Sequence, residues 1–229
     1  ARRIHERNDK TRTARIAIAK CLWVAKRFID EPRLYFVMSL DFRGRYYYRP
    51  PYLNPQGNDV SRCLLLFSDG QPITTSKQAD WLRVHGANMY GHGKLDFQSR
   101  IDWVHQEEQH IVACGTDPWA HAEFWMRADK PWCFRAFCRS YMQFKREGYG
   151  YVCQLPVTLD CTCSGIQHYS ALLRNEEMGR LVNLLPSEQP QDIYGSVIAR
   201  VLAALRASDD PDARKWLQLQ PDRSLAKPV

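Results

Sequence analysis

The sequence contains no apolar run long enough to cross a membrane. A membrane-spanning helix needs about 20 consecutive, mainly apolar residues, and charged or polar side chains interrupt every apolar stretch of this 229-residue chain before that length. The arginine-rich start also lacks the apolar segment of a secretory signal peptide. Because both features are absent, we expect a soluble, intracellular protein.

The chain also lacks the cysteine spacing of a zinc site or a disulfide framework, although it has eight cysteines. Cys161-x-Cys163 and Cys133-x4-Cys138 are close pairs, but no second CxxC pair and no suitably spaced histidine accompanies them. The other cysteines lie in apolar-periodic segments, where free thiols behave as small hydrophobic side chains. We therefore predict reduced cysteines, as is usual in the cytosol.

The composition excludes a wholly disordered chain and favours an anionic partner. Hydrophobic residues make up 45% of the sequence and aromatic residues 12%, which is enough for a buried core in a chain of 26.7 kDa. The formal charge of +7 and the pI near 9.0 favour a polyanion such as nucleic acid. Many soluble proteins are mildly basic, so charge alone leaves the partner open.

Hydrophobic periodicity predicts an α+β fold without internal repeats. Residues 2–30 predict one helix, whose basic first half is either a solvated face or a phosphate-contacting face. Short strands are expected at residues 34–40 and 151–159, and an ordered loop at residues 46–60. Further helices are predicted over residues 76–90, 97–114, 118–128, 131–146 and 189–207. The regular strand–helix alternation of a doubly wound sheet is missing.

Asp160 stands where a strand pattern turns into a helix pattern. Apolar residues at every second position from 151 to 159 predict a half-buried strand, and Asp160 falls on its polar face. Small residues follow it, which leaves room for a divalent cation and a bulky substrate. The alternative is that Asp160 caps the next helix, although Thr162 and Ser164 could also do so. The vicinal pair Asp209-Asp210 precedes a proline, which predicts a helix-ending turn rather than a second carboxylate motif.

Two loops carry residues suited to holding phosphates or bases. Arg43 and Arg45 flank Gly44 in a predicted turn, where two guanidinium groups could bind phosphates, or Asp41 could pair with an arginine within the chain. Residues 54–59 contain Asn54 and Gln56 among proline and glycine, and by themselves predict a capped turn.

Three cationic side chains complete the candidate set. Lys94 lies in a glycine-rich turn, and its simplest interpretation is an exposed surface lysine. Arg223 and Lys227 are four residues apart, so on a helix both could face one phosphate group.

Taken in order and with their approximate spacing, these motifs resemble one protein family from about residue 20 to the end. The matching motifs are Asp41-Phe-Arg-Gly-Arg45, Asn54-Pro-Gln-Gly-Asn-Asp59, Trp81-Leu-x-x-His-Gly-Ala-Asn88, Phe134-x-Ala-Phe-Cys138, Asp160-x-x-Cys-Ser-Gly-Ile-Gln-His168, Val182-Asn-Leu-Leu-Pro-Ser187 and Asp192-Ile-Tyr-Gly195. They resemble the single-subunit DNA-dependent RNA polymerases of phages and mitochondria.

The resemblance implies a partial right-hand polymerase. It suggests a basic helical segment at residues 1–33, a palm portion with inserted helices at 34–175, and the start of the fingers at 176–229. Asp160 would be the first catalytic metal-binding aspartate, and the carbonyl of Cys161 would help to hold Mg²⁺, although relatives usually have glycine there. Ser164, Gly165, Gln167 and His168 would be its active-site neighbours.

The same resemblance implies the nucleic-acid and nucleotide contacts. The Asp41–Arg45 turn, with Asn54 and Gln56, would contact template DNA and the RNA–DNA hybrid. Lys94 and Tyr194 would lie near the incoming NTP. Arg223 and Lys227 would begin the fingers helix that holds the triphosphate, but the match breaks at Pro228.

The departures from the family predict a partner chain. Relatives have a second, His-Asp-Asp carboxylate motif, which is missing here, whereas two-metal nucleotidyl transfer normally uses two carboxylates. The expectation is the smaller subunit of a split enzyme, as in the heterodimeric RNA polymerases of N-four-like podoviruses. It would act in the cytoplasm of an infected bacterial host, with a DNA-opening or promoter factor. The alternatives are a non-catalytic single-stranded nucleic-acid-binding relative and a fragment of a one-chain polymerase.

Overall fold

The computed structural model describes residues 2–42, 44–159, 161–187 and 189–218. It divides into two compact units, Ala1–Thr158 and Leu159–Val229. The described part is helix-rich α+β with two small sheets, which confirms the predicted fold class at that level. Within the described residues, no helix is both long and apolar enough to span a membrane.

The first unit contains seven helices and four short strands among its described residues. In chain order they are α1 (Arg2–Arg27), β1 (Met38–Leu40), β2 (Tyr46–Tyr48), α2 (Asp59–Cys63), β3 (Gln71–Pro72), α3 (Ser76–Tyr90), α4 (Phe97–Gln106), α5 (Glu108–Thr116), α6 (Ala122–Trp125), α7 (Pro131–Glu147) and β4 (Val152–Cys153). The strands pair antiparallel, β1 with β2 and β3 with β4.

Helix α7 is the centre of the core of this unit. Phe134, Phe137, Tyr141 and Phe144 recur at helical spacing and are buried, and the burial of each such side chain contributes about 2 kcal/mol to the free energy of unfolding. The ring of Phe137 lies where a Cβ on Gly86 would stand. Helices α3 and α7 therefore pack too closely for any larger residue at position 86.

Side-chain caps fix where several of these helices begin. Thr75 and Gln78 form a reciprocal capping box at the start of α3. The carboxylate of Asp59 accepts the main-chain N–H groups of Trp132 and Cys133 at 2.8 and 3.0 Å, so one side chain of α2 caps α7. This ties two segments that lie more than 70 residues apart in sequence.

The predicted strand at residues 34–40 is shorter and more exposed than expected. Only Met38–Leu40 forms a strand, and the side chains of Met38 and Leu40 are 50% and 59% exposed. Residues 46–48, predicted as loop, form β2 because the Asp41–Arg45 turn folds them back onto β1, with Ser39 opposite Tyr47. The two strands make a hairpin rather than a buried strand followed by a loop.

The predicted strand at residues 151–159 is also largely wrong. Only Val152–Cys153 is strand, because its partner β3 has two residues. Alternating exposure continues to Leu155, but Val157 and Leu159 are 38% and 69% exposed. The period-two pattern is therefore present in the sequence, whereas the described residues supply no strand to pair with its second half.

Two of the predicted helices differ clearly from the structure. The predicted helix at 97–114 is divided at Glu107 into α4 and α5. The predicted helix at 118–128 is reduced to α6, because the carboxylate of Asp117 accepts the N–H groups of Trp119 and Ala120 and folds this stretch into a turn. Helix α3 has the predicted bounds.

The described residues of the second unit form four helices. They are α8 (Ser164–Leu173), α9 (Glu176–Leu181), α10 (Ile193–Ala207) and α11 (Pro211–Gln218). Asp209 and Asp210 lie in the turn between α10 and α11, where the Asp210 carboxylate accepts the N–H of Asp212 at 2.8 Å. This confirms the predicted turn. The division into segments 1–33, 34–175 and 176–229 concerns family domains and stays a prediction.

Candidate functional site

The turn from Asp41 to Arg45 is closed by the main chain and by one carboxylate. The N–H of Asp41 donates to the carbonyl of Arg45 at 2.9 Å, and the carboxylate of Asp41 accepts the N–H of Arg45 at 2.9 Å. Gly44 has a φ of 76°, a left-handed conformation that favours glycine. Arg43 lies outside the described residues.

Arg45 presents its side chain outward from this turn. It is exposed, and its guanidinium forms no ion pair with any described residue. Asp41 contacts Arg45 through the main-chain N–H, and the side chains of these two residues do not form an ion pair. The alternative that Asp41 pairs with Arg43 falls outside the described residues. The geometry leaves the guanidinium of Arg45 accessible to an anion such as a phosphate.

Asn54 and Gln56 support the hairpin from within. The side chain of Gln56 donates to the carbonyl of Tyr46 at 3.0 Å and accepts the N–H of Tyr48 at 3.2 Å. The side chain of Asn54, which is buried, donates to the carbonyl of Pro50 at 2.7 Å and accepts the N–H of Gln56 at 2.9 Å. The oxygen and the N–H₂ group of each side-chain amide are thus both hydrogen-bonded within the chain. This favours a supporting role, and direct contact with nucleic acid stays a prediction.

Ser61 is a supporting residue that the sequence reading missed. It is fully buried, and its hydroxyl both accepts from the N–H of Asn54 and donates to the carbonyl of Asn54, each at 2.9 Å. The N–H of Ser61 donates to Asn58, the N-cap of α2. The cluster of short amides and a serine in the sequence was the available signal, and it indicated a capped turn.

Lys94 lies in the loop between α3 and α4. Its side chain is exposed, and it forms no ion pair or hydrogen bond with any described residue. The loop follows Gly91, whose φ is 127°, and it ends at Asp96, which caps α4 by accepting the N–H of Ser99 at 3.0 Å. The loop thus presents one lysine to solvent between two fixed ends.

His85 and Arg62 hold the segment that leads toward Asp160. The Nδ1 of His85 accepts the N–H of Thr158 at 3.4 Å, and the guanidinium of Arg62 donates to the Thr158 hydroxyl at 3.3 Å. His85 is 3% exposed. Burial, with the nearby cations Arg62 and Lys130, lowers the pKa of His85 to about 4. The imidazole is therefore neutral near pH 7 and can accept this bond.

The residues after Asp160 form a sharp entry into α8. Asp160 itself lies outside the described residues. Cys161 is exposed, and Cys163 has a left-handed φ of 51° just before Ser164 begins the helix. A Cβ on Gly165 would meet no atom within 4 Å, so open space adjoins the start of α8.

Three further candidates lie on helices of this unit. Gln167 is engaged internally, because its side chain donates to the carbonyl of Val182 at 2.8 Å. His168 lies in the second turn of α8 and is exposed. Tyr194 is the second residue of α10 and is half-buried.

Asn183 connects the two parts of this unit that contain candidate site residues. No role was predicted for it from the sequence. Its side-chain N–H₂ donates to the hydroxyl of Thr162 and to the carbonyl of Gln191, each at 2.9 Å. Its side-chain oxygen accepts the N–H of Gln191 at 2.7 Å. Its φ of 57° is left-handed, which asparagine tolerates better than most residues. Asn183 thereby ties the segment after Asp160 to the approach to Tyr194.

The structure therefore groups the predicted residues into three places. Asp41, Gly44 and Arg45 form one group with Asn54 and Gln56, and Lys94 stands on another loop of the same unit. The candidates from Cys161 to His168, with Tyr194, belong to the second unit. Arg223 and Lys227, like Arg43 and Asp160, lie outside the described residues.

The donor set suits Mg²⁺ in kind but is too small to enclose it. Mg²⁺ binds hard oxygen ligands, and an Asp160 carboxylate beside the Cys161 carbonyl would supply two of that type. Within the described residues, no group of three His, Cys, Asp or Glu side chains could hold a metal ion. A site built on Asp160 therefore needs further oxygen ligands from elsewhere.

Comparison with known proteins gives consistent matches. The family profile of DNA-dependent RNA polymerase matches residues 73–228. The chain is 42% identical to T7 RNA polymerase of Escherichia phage T7 over 202 residues, which is 88% of this chain and 22% of that protein. It is 43% identical over 201 residues to the DNA-directed RNA polymerase of Enterobacteria phage T3, covering 87% of this chain and 22% of that protein.

A mitochondrial protein matches as well. The mitochondrial DNA-directed RNA polymerase of Schizosaccharomyces pombe is 36% identical over 212 residues, which is 91% of this chain and 18% of that protein. The chain thus spans about a fifth of the length of the curated relatives it matches.

Proposed function

This chain belongs to the single-subunit, phage-type family of DNA-dependent RNA polymerases, and we propose that it supplies the first metal-binding carboxylate of such an enzyme. The observation that carries the proposal is that the match over residues 73–228 includes the Asp160 motif. The described residues after Asp160 have small side chains, and the left-handed Cys163 turns the chain sharply into α8. In this proposal Asp160 is catalytic and binds metal together with the carbonyl of Cys161.

The metal ions would be Mg²⁺, which lower the barrier by activating the 3′-hydroxyl and by stabilising the charge on the leaving pyrophosphate. In the proposed site this chain contributes the Asp160 carboxylate, and Cys163 and Asn183 fix the path of the main chain beyond it. Ser164, Gly165 and His168 line the start of α8 as neighbours. The second carboxylate comes from another part of the polymerase.

Nucleic acid would contact the hairpin of the first unit. Arg45, with Arg43, would bind a phosphate of the template or of the RNA–DNA hybrid, and Gly44 lets the main chain come close to that ligand. Asn54, Gln56 and the turn closed by Asp41 would hold the hairpin in the binding shape. The exposed tyrosines of β2 offer faces on which bases can stack.

The nucleotide would be held by cations and one ring. Lys94, exposed on its loop, would contact the incoming triphosphate, and Tyr194 would lie beside the nucleotide. We propose the same for Arg223 and Lys227 at the start of the fingers. The assignment of residues 34–175 to the palm and of residues 176–229 to the start of the fingers belongs to the same proposal.

An apolar cleft of about 1230 Å³ in the first unit supports the proposal that more protein covers this chain. The second half of α1, residues 28–36, residues 62–68 and residues 155–158 line it, and exposed side chains such as Trp23 and Phe67 stand on its walls, 61% and 60% exposed. We propose that the remaining palm of the polymerase fills it, because the relatives are about five times longer than the matched segment. Covering such a surface is favourable at about 25 cal/mol per Å².

We propose that this remaining palm is carried by a second chain with the His-Asp-Asp motif, so that the enzyme is a heterodimer with an interface above ~1,600 Å². The same surfaces would serve a one-chain polymerase of which these residues are a part. Purification of the native protein and mass spectrometry of the whole complex separate the two arrangements. A distinct partner chain carrying the second carboxylate supports the heterodimer, and a single chain of about 900 residues, the length that 202 residues at 22% coverage implies, refutes it.

The third arrangement, a non-catalytic nucleic-acid-binding relative, makes a different prediction. The complete complex would bind single-stranded nucleic acid but would not extend an RNA primer with Mg²⁺ and NTPs. Primer extension that depends on Mg²⁺ would exclude it.

A further inference from the structure

One buried guanidinium gives the loop of Lys94 its shape. Arg100, on α4, is 9% exposed, and its Nε donates to the carbonyl of Leu95 at 2.7 Å. One terminal nitrogen donates to the carbonyl of Gly93 at 2.9 Å, and the other donates to the side-chain oxygen of Asn88 at 3.0 Å. Two of the three acceptors are thus the main-chain carbonyls on either side of Lys94.

This arrangement uses a property that only arginine has. The planar guanidinium presents several N–H donors at fixed angles, whereas the ammonium of lysine is a single point of charge. Asn88 belongs to α3, so the three bonds join the end of α3, the loop and the start of α4. The guanidinium also stands 5.1 Å from the centre of the Phe97 ring, which limits its movement.

We infer that Arg100 is a positioning residue for nucleotide binding, acting through the main chain of the loop that carries Lys94. The inference rests on the proposed function, because Lys94 is proposed to contact the triphosphate. Arg100 itself is turned into the protein and does not reach the nucleotide. A loop held at both neighbouring carbonyls presents Lys94 in a limited set of positions, which lowers the ordering cost of binding a triphosphate.

The test compares two arginine-to-lysine changes in the complete polymerase. Arg100→Lys keeps the positive charge but removes the planar guanidinium with its several N–H donors. Arg83→Lys is the matched control. Arg83 is equally buried, at 8%, and its guanidinium donates to Asp80 at 2.7 Å, with no hydrogen bond to the described residues of the loop. Both variants should lower thermal stability by similar amounts, but only Arg100→Lys should raise KM for NTPs, by roughly fivefold or more with little change in kcat.

A double variant shows whether the effect passes through Lys94. If it does, Arg100→Lys adds little to KM once Lys94 is alanine, because residues that act as one unit are not additive. Hydrogen exchange supplies a readout without catalysis, since the N–H of Leu95, bonded to the carbonyl of His92 at 3.0 Å, should exchange faster in Arg100→Lys than in Arg83→Lys.

The outcomes separate this inference from the proposed function. An unchanged KM in Lys94→Ala would refute the nucleotide role of Lys94, and the inference would fall with it. A raised KM in Lys94→Ala, with Arg100→Lys behaving like Arg83→Lys, would overturn the inference alone. If Arg100→Lys raised KM by the same factor in the wild type and in Lys94→Ala, that result would also overturn the inference.

Discussion

Acidification should destabilise the first unit through His85. The pKa of this imidazole is lowered to about 4 by burial and by Arg62 and Lys130, against about 6.5 in an unfolded chain. A lowered pKa in a histidine means that the unfolded state binds the proton more readily. Its contribution to the free energy of unfolding is therefore fully present above pH 6.5 and is lost as pH falls from 6.5 toward 4.

The expected size of this effect follows from the pKa difference. At 1.36 kcal/mol per unit, the full loss is about 3 kcal/mol, and about 2 kcal/mol is lost by pH 5. The same protonation removes the acceptor for the N–H of Thr158. The loss at pH 5 is a large part of the 5–15 kcal/mol that typically holds a domain folded.

The assay is urea unfolding of the wild type and of His85→Asn at pH values from 7.5 to 4.5. Asparagine does not titrate, and its oxygen can take the place of Nδ1 as acceptor, so the difference between the two curves isolates His85 from the carboxylates. We expect that difference to change by about 2 kcal/mol between pH 7 and pH 5. A difference that stays constant over this range would refute the assignment of a buried, neutral imidazole.

Three further substitutions test separate parts of the structure. Gly86→Ala places a methyl group in the space that the Phe137 ring occupies, and it should lower the free energy of unfolding, measured by denaturation, by about 1–3 kcal/mol. Wild-type stability would contradict the close packing of α3 on α7. Asn183→Ala removes three hydrogen bonds and should lower kcat of the complete polymerase by roughly tenfold with folding retained; an unchanged kcat would limit Asn183 to a structural role. Arg45→Ala should make the log–log salt dependence of RNA–DNA hybrid binding shallower by about 0.7–0.9, whereas Arg206→Ala should leave it unchanged; equal slopes would remove the phosphate contact of Arg45.

The helices with strong periodicity and local caps were the most predictable from sequence. The bounds of α3 agree with the prediction from periodicity, and its start is fixed by a local signal, the capping box of Thr75 and Gln78. Helix α7 was predicted to within one residue for the same kind of reason: it begins at a proline and ends before Gly148.

The strands could not be predicted well because a strand requires a partner. The alternation at residues 151–159 is present in the sequence, yet the described residues pair only Val152 and Cys153. The hairpin of β1 and β2 was missed because its pairing depends on the turn that Asp41 closes and on Gln56, whose bonds to Tyr46 and Tyr48 cross eight to ten residues.

The residues of the candidate site also differ in whether the sequence predicted them. Residues that would contact a ligand, such as Arg45 and Lys94, were found from motifs because ligand chemistry restricts the residue type. Two residues that support the candidate segments from behind were missed. Arg100 and Asn183 act through main-chain carbonyls or N–H groups, and a hydrogen bond to the main chain leaves no mark on the sequence of its partner.

The most direct test of the central claim is nucleotide addition by the complete polymerase carrying Asp160→Asn. The control is Asp209→Asn, which removes an exposed carboxylate from the turn between α10 and α11. If Asp160 binds a catalytic metal ion, Asp160→Asn lowers the rate of addition by ~10³-fold or more, with assembly and hybrid binding retained, and the control keeps the wild-type rate. RNA synthesis by Asp160→Asn within a few-fold of the wild type would contradict the account.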